Sequence, residues 1–173
     1  IYDDNRWGIV ETDFCKDIIF KNSTLNRIDA HQGIYNLTIE NCNIGCKGLT
    51  MTGQGILNII NSTITSETFI QLRNDYGSTW DGNVNIINCN YVYHGTTQPK
   101  LFSFKFSYDD NENKILHDFG YKLKFPNVYV NNLKIDAKPK STLYIMTNFG
   151  DLIGKPYNGN PNYWPNSIYI NGY

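Results

Sequence analysis

Hydrophobic and polar positions alternate in short segments of the chain that share an asparagine at the same place. Each segment has an apolar residue four and two positions before the Asn and another three positions after it. Alternation with period two is typical of a β-strand with one buried face. Five segments have the full pattern and a sixth has part of it: 18–25, 37–44, 57–64, 84–91, 128–135 and 167–173. The pattern predicts one strand that recurs along the chain and ends at an Asn corner.

The asparagines at these corners are Asn22, Asn41, Asn61, Asn88 and Asn132, which are 19, 20, 27 and 44 residues apart. Repeats of about 20 residues built from period-two strands are typical of β-solenoids. The spacing of 44 fits either two turns of such a solenoid or one turn with a long insertion. Asparagines stacked about 4.8 Å apart can form a hydrogen-bonded ladder, and Asn tolerates the left-handed backbone of a tight corner.

A second strand can be placed in each repeat, with a third, short strand directly after each Asn. The second strands are predicted at 27–30, 49–52, 69–73, 101–106 and 143–146. Three strands per turn predict an all-β, single-stranded parallel β-helix of about five to seven coils. An asparagine-rich β-sandwich is the alternative.

Composition supports a β fold and excludes several classes of function. Alanine occurs only at Ala30 and Ala137, while 14% of residues are aromatic and 14 are glycine, so a helical bundle or an alternating βαβ domain is excluded. The net charge of −1, with 18% charged residues, argues against nucleic-acid binding, which rests on clustered cations. Apolar runs are too short for a transmembrane helix, so no membrane insertion is expected.

The chain is expected to form one domain over 1–173, with regular coils in 7–92 and insertion-rich coils in 93–173. It starts at Ile1 rather than Met, which predicts a processed chain or a fragment of a longer one. Aromatic insertions are predicted at 74–83 and 154–165. Their rings, which are candidates for sugar contact, are Trp80, Tyr163 and Trp164. The alternative is that these loops cap strand edges or contact another chain.

The stretch 7–36, and above all Arg27-Ile28-Asp29-Ala30-His31-Gln32-Gly33, resembles pectate-lyase-like right-handed parallel β-helix proteins of the phage tail-spike type. The resemblance covers residues 7–92 and implies a right-handed coil. It also implies recognition of bacterial surface polysaccharide, in some relatives its cleavage, assembly as a homotrimer, and a virion or extracellular location. The hypotheses are therefore a glycan-recognition module, a polysaccharide hydrolase or lyase, and a purely structural trimeric shaft.

Arg27, Asp29 and His31 alternate along one predicted strand and so share one face, expected to point outward. Glycoside hydrolysis uses two carboxylates about 5–10 Å apart, and Glu11 and Asp29, on adjacent turns, could meet that distance. In a lyase, His31 would be the base and Arg27 would neutralise the developing charge. The same outward strip on the next turns supplies possible substrate contacts, namely Thr50, Gln71 and Arg73. A structural ion pair of Arg27 with Asp29 is the alternative.

No metal or cofactor is expected, because the three histidines lack ligand spacing. Four free thiols are predicted. Cys42 and Cys89 follow ladder asparagines two repeats apart, about 9.6 Å by strand spacing, and a disulfide needs Cα atoms within about 7 Å. An outward apolar stripe is expected to serve subunit association, and its members are Ile19, Ile60, Ile87 and Tyr129.

Overall fold

The computed structural model describes residues 8–11, 15–30, 34–73, 80–105, 107–108, 114–115, 125–138, 141–147 and 165–172. These residues form strands and connecting turns and contain no helix. The strands are β1 Ile9–Glu11, β2 Asp17–Lys21, β3 Thr24–Ala30, β4 Asn36–Glu40, β5 Asn43–Met51, β6 Gly53–Ile60, β7 Thr63–Ser66, β8 Thr68–Arg73, β9 Trp80–Tyr93, β10 Lys100–Lys105, β11 Ser107–Tyr108, β12 Lys114–Ile115, β13 Phe125–Asp136, β14 Tyr144–Thr147 and β15 Pro165–Asn171.

Within the described residues, thirteen strands join one open sheet by parallel pairing, and β11 and β12 form a separate antiparallel pair. The segments that precede the ladder asparagines stack in the order β2-β4-β6-β9-β13-β15, here called the ladder row. The strands β1-β3-β5-β8-β10-β14 form a second row. This all-β, mostly parallel arrangement is consistent with a β-helix.

Register within the ladder row decides the ambiguous spacing of 44 residues. Asn131 pairs with Ile87 and Leu133 pairs with Cys89, so Asn132 lies directly next to Asn88. The side chain of Asn132 donates a hydrogen bond to Asn88 Oδ1 at 3.0 Å. The gap is therefore one repeat with an insertion. The predicted second strands are confirmed as β3, β5, β8, β10 and β14, with boundaries that differ by a few residues.

The core lies between the two rows and is built from the alternating apolar positions. Four and two residues before each ladder Asn, the middle repeats place fully buried side chains such as Leu57, Ile59, Val84 and Ile86. Burying one such side chain stabilises the fold by about 1.5–3 kcal/mol. At the last described repeat the equivalent Ile170 is 40% exposed, because β15 pairs with β13 alone among the described strands.

The predicted Asn corner is confirmed in the backbone. The five ladder asparagines are the positive-φ residues other than glycine in the described part of the chain, with φ of 49–55°, and Gly172 occupies the sixth position at 71°. The residue after each of the first four donates its hydroxyl or thiol to the carbonyl two residues earlier: Ser23 to Lys21, Cys42 to Glu40, Ser62 to Ile60 and Cys89 to Ile87. A corner thus combines a left-handed Asn with a small donor side chain.

All four cysteines are free, as predicted. Cys42 and Cys89 are buried, and their column has Ser62 between them. Burial raises the pKa of the Cys89 thiol, against smaller lowering contributions from hydrogen bonds with Ser62 and Ile87. These thiols therefore act as small core side chains with a weak donor.

Candidate functional site

The two rows differ in which faces are open to solvent. In the ladder row, buried and partly exposed residues alternate, as in the pattern of Asn36–Glu40, so one face packs on the core and the other is open. In the second row, four consecutive residues of β5, Gly48 to Met51, are buried, and so are Leu101, Phe102 and Ser103 of β10. The middle strands of the second row are therefore largely buried on both faces, whereas Ile9 of β1 and Tyr144 of β14, at its two ends, are exposed. The outer face of the ladder row is open to solvent and can therefore hold an accessible site.

The predicted polar strip lies on the buried outer face of the second row. Asp29, Thr50 and Gln71 are register partners on consecutive strands and form one column, as the sequence indicated, and Ser103 continues that column. Asp29 is only 2% exposed, and Thr50 and Ser103 are also buried. The expectation of a solvent-exposed groove at this strip is therefore wrong.

Asp29 is held by Arg27 on the same strand. The Arg27 Nη2 lies 2.5 Å from Asp29 Oδ2 and donates a hydrogen bond to Thr50 Oγ1 at 3.2 Å. A buried carboxylate is stable only when it is paired, and Arg27, two residues away on the same pleat, supplies the countercharge. The geometry matches the structural ion pair that the sequence left open as the alternative to catalysis.

The two-carboxylate hypothesis requires Glu11 to lie next to Asp29, but the register places Glu11 one residue further along. Strand β1 pairs Val10 with Asp29 and Glu11 with Ala30. His31 and the side chains of Glu11 and Arg73 lie outside the described residues.

Trp80 was expected to be an exposed ring in an insertion, and this is wrong. It begins β9, is fully buried, and donates from Nε1 to the Gly55 carbonyl at 3.2 Å. Its ring occupies space that Gly53 leaves, since a Cβ added there would lie 2.7 Å from the indole. Trp80 is a core residue and not a sugar-binding one. Tyr163 and Trp164 lie outside the described residues.

The open face of the ladder row carries three columns of outward side chains, one, three and five residues before each corner. In the column three before, Ile19, Thr38, Asn58, Asn85, Tyr129 and Tyr169 are successive register partners. Ile60 and Ile87 belong to the column one before. The predicted apolar stripe is thus divided between two columns, and polar residues interrupt the column that holds Ile19 and Tyr129.

Tyr129 and Tyr169 form a stacked pair on this face. Their ring centroids are 5.4 Å apart and the rings are within 2° of parallel. Tyr129 is 40% exposed and Tyr169 is 60% exposed, so the pair keeps much of its surface in solvent. Both residues stand three positions before a corner. In the sequence, the alignment of 167–173 with the other repeats could have predicted that the two tyrosines are neighbours.

Amide and hydroxyl groups flank the two rings on both sides. In the column five before the corner, Asn127 Nδ2 donates to Asn83 Oδ1 at 3.2 Å and Ser167 Oγ donates to Asn127 Oδ1 at 3.1 Å. In the column one before it, Asn171 Nδ2 donates to Asn131 Oδ1 at 3.2 Å. Each amide carries two N–H donors and an oxygen with two lone pairs, more than these contacts use. We call Asn127, Tyr129, Asn131, Ser167, Tyr169 and Asn171 the Tyr–Asn face.

Among the residues that the structure describes, no group of three or more His, Cys, Asp or Glu side chains is arranged to hold a metal ion. In the same part of the chain, no helix is long and apolar enough to cross a membrane. Comparison with protein-family models, curated proteins and solved structures finds no match to this chain.

Proposed function

We propose that the chain is part of a right-handed parallel β-helix of about five to seven coils, of the pectate-lyase-like tail-spike type, that recognises bacterial surface polysaccharide. The resemblance in 7–36 and the stacked parallel rows support the type of fold. On this proposal the protein functions on a virion or outside the cell, as a homotrimer.

The observation that carries the proposed function is the Tyr–Asn face. Stacked tyrosines offer rigid apolar surface at little entropic cost, which suits the C–H face of a sugar ring. The flanking amides and the Ser167 hydroxyl supply donors and acceptors for sugar hydroxyls. Their mutual hydrogen bonds hold these groups in place, so little ordering entropy would be lost on binding.

Recognition without cleavage is favoured over catalysis. Asp29, the central residue of the predicted catalytic group, is buried and ion-paired with Arg27, and a group that attacks or protonates a polysaccharide has to reach it. The Tyr–Asn face carries no carboxylate or imidazole that could transfer a proton. The second and third hypotheses, an enzyme and a structural shaft, remain as outcomes of the test.

The test uses purified bacterial surface polysaccharides with the wild-type chain and two variants. The double variant Tyr129→Ala/Tyr169→Ala is expected to weaken binding at least about tenfold, because both ring surfaces are lost. Tyr35→Ala is the matched control, since Tyr35 is 52% exposed but lies outside the Tyr–Asn face, and it should bind like wild type.

New reducing ends or unsaturated sugars after incubation would favour the enzyme instead. Absence of binding to every polysaccharide would favour the shaft. Sedimentation of the wild-type chain tests the trimer separately, and a monomer at all concentrations would contradict it.

A further inference from the structure

Over four consecutive strands of the ladder row, the described positions in its three outward columns carry no charged side chain. In the columns one, three and five residues before the corner, the positions on β6, β9, β13 and β15 are Ile56, Asn58, Ile60, Asn83, Asn85, Ile87, Asn127, Tyr129, Asn131, Ser167, Tyr169 and Asn171. Exposed positions are where Lys, Glu, Arg and Asp normally concentrate. The lack of a charged residue at all twelve positions therefore distinguishes this surface from an ordinary exposed one.

The charged residues of these three columns lie at the other end of the ladder row, on β2 and β4, and they have partners there. Lys21 Nζ lies 2.8 Å from Glu40 Oε2, and Asp17 Oδ1 accepts a hydrogen bond of 2.8 Å from Asn36. On β13 itself, Lys134 and Asp136 come after the corner at Asn132, beyond the outward columns. The rings of Tyr129 and Tyr169 thus have only neutral neighbours in the columns beside them.

From this placement we infer that the Tyr–Asn face selects uncharged polysaccharides; the inference rests on the proposed function and narrows its ligand. Binding of acidic sugars depends on Arg or Lys, which pair with carboxylate, sulfate or phosphate groups. No such cation stands among the twelve positions. An anionic sugar would lose part of its hydration on this face without gaining a countercharge.

Neutral sugars match these positions in both hydrogen bonding and apolar contact. A sugar hydroxyl is at once donor and acceptor, and so is the amide of Asn131 or Asn171. The apolar face of the sugar ring can cover Tyr129 or Tyr169, which gains free energy from apolar burial and needs no charge. Binding of this kind is expected to be nearly independent of ionic strength, because no ion pair is formed.

The experiment measures Kd for a panel of purified bacterial capsular and O-chain polysaccharides, sorted beforehand into neutral and acidic members. Each binder is titrated between roughly 0.05 and 0.5 M NaCl. We expect the binders to be neutral, their Kd to change less than about twofold with salt, and Tyr169→Ala to weaken them about tenfold or more. Tyr169→Phe is the matched variant and should retain most of the affinity, because it keeps the ring.

The variant Asn131→Lys/Asn171→Lys serves as a positive control for charge, and it should bind acidic polysaccharides in a salt-dependent way. If the wild-type chain binds acidic members best, and the affinity falls steeply with salt but still depends on Tyr129 and Tyr169, neutral selection is overturned while the proposed function stands. If no polysaccharide of either kind binds, the proposed function itself fails, and the inference fails with it.

Discussion

The left-handed corner depends on single residues. Left-handed φ costs about 1–2 kcal/mol for most residues other than Gly and Asn. The ladder asparagines hold φ near 50° in every repeat from Asn22 to Asn132. The amide adds a hydrogen bond where geometry allows, as from Asn41 to Asn22 Oδ1 at 3.3 Å. Backbone tolerance and amide pairing are separable contributions.

Replacing Asn41, which has φ of 54° and an amide that donates to Asn22 Oδ1, separates the two. Asn41→Ala should lower the free energy of unfolding by about 1–2 kcal/mol, whereas Asn41→Gly should cost less because Gly adopts positive φ without steric strain. Urea unfolding followed by circular dichroism measures both. Equal losses in the two variants would show that the amide, and not the backbone conformation, matters at this corner.

The ion pair of Asp29 with Arg27 gives the second prediction for single residues. Asp29→Asn removes the buried carboxylate that pairs with Arg27, whose side chain is 13% exposed, and should cost about 3–5 kcal/mol of unfolding free energy. The double variant Arg27→Met/Asp29→Asn removes both charges and should recover part of the loss. Chemical denaturation of the three proteins measures the effect. A single variant as stable as wild type would mean that the pair contributes little to folding.

Within the strands, the alternating Ile and Leu positions and the Asn corners predicted both rows, since period two fixes which face each side chain takes. Register between strands across a loop is not fixed in this way. Glu11 is the last residue of β1, and the structure pairs Val10, not Glu11, with Asp29. Burial of the outer face of the second row could not be predicted either, because alternation identifies the inner face but does not show whether the outer face meets solvent.

The same limit explains Trp80. The length of the insertion before β9 did not show that its last aromatic residue turns inward. The neighbouring strand β6 held the signal: Gly53 leaves room for the indole, and Gly55 offers its carbonyl to Nε1. A pair of glycines two residues apart on one strand is a sign of close approach by another chain segment.

The close approach of β6 and β9 can be tested at Gly82, the register partner of Gly55. A Cβ at Gly82 would lie 1.9 Å from the Gly55 carbonyl oxygen, so Gly82→Ala has to push the strands apart and should cost at least about 2 kcal/mol. Gly172→Asn is the matched control: the nearest atom is 3.8 Å away and Asn fills the equivalent corner elsewhere. It should change stability by less than about 0.5 kcal/mol. Comparable losses in thermal unfolding would contradict the packing seen between β6 and β9.

For the molecule as a whole, burial of titratable groups next to one corner predicts sensitivity to alkali. Burial raises the pKa of Tyr91 well above its usual range, despite the opposing hydrogen bond with Lys100, and burial also raises the pKa of Cys89. The Tyr91 hydroxyl donates to the Glu67 carbonyl at 2.7 Å, so the protonated form is the one the fold uses. Both groups hold their protons more tightly in the folded chain than in the unfolded one.

The sign of the effect follows from linkage. Below the pKa values of the unfolded groups, about 8.5 for Cys and 10 for Tyr, the two protonated groups contribute their full stabilisation. Above these values the unfolded chain loses protons that the folded chain keeps, so the free energy of unfolding falls. Melting temperature measured from pH 7 to 11 should therefore decline above about pH 9. Cys89→Ser keeps a donor of the kind found at Ser23 and Ser62. Combined with Tyr91→Phe, it should make the fall of melting temperature with pH shallower. The double variant should also be less stable at pH 7, because the hydrogen bond from Tyr91 to the Glu67 carbonyl is lost. A double variant whose melting temperature falls with pH as steeply as that of wild type would place the alkaline sensitivity elsewhere in the molecule.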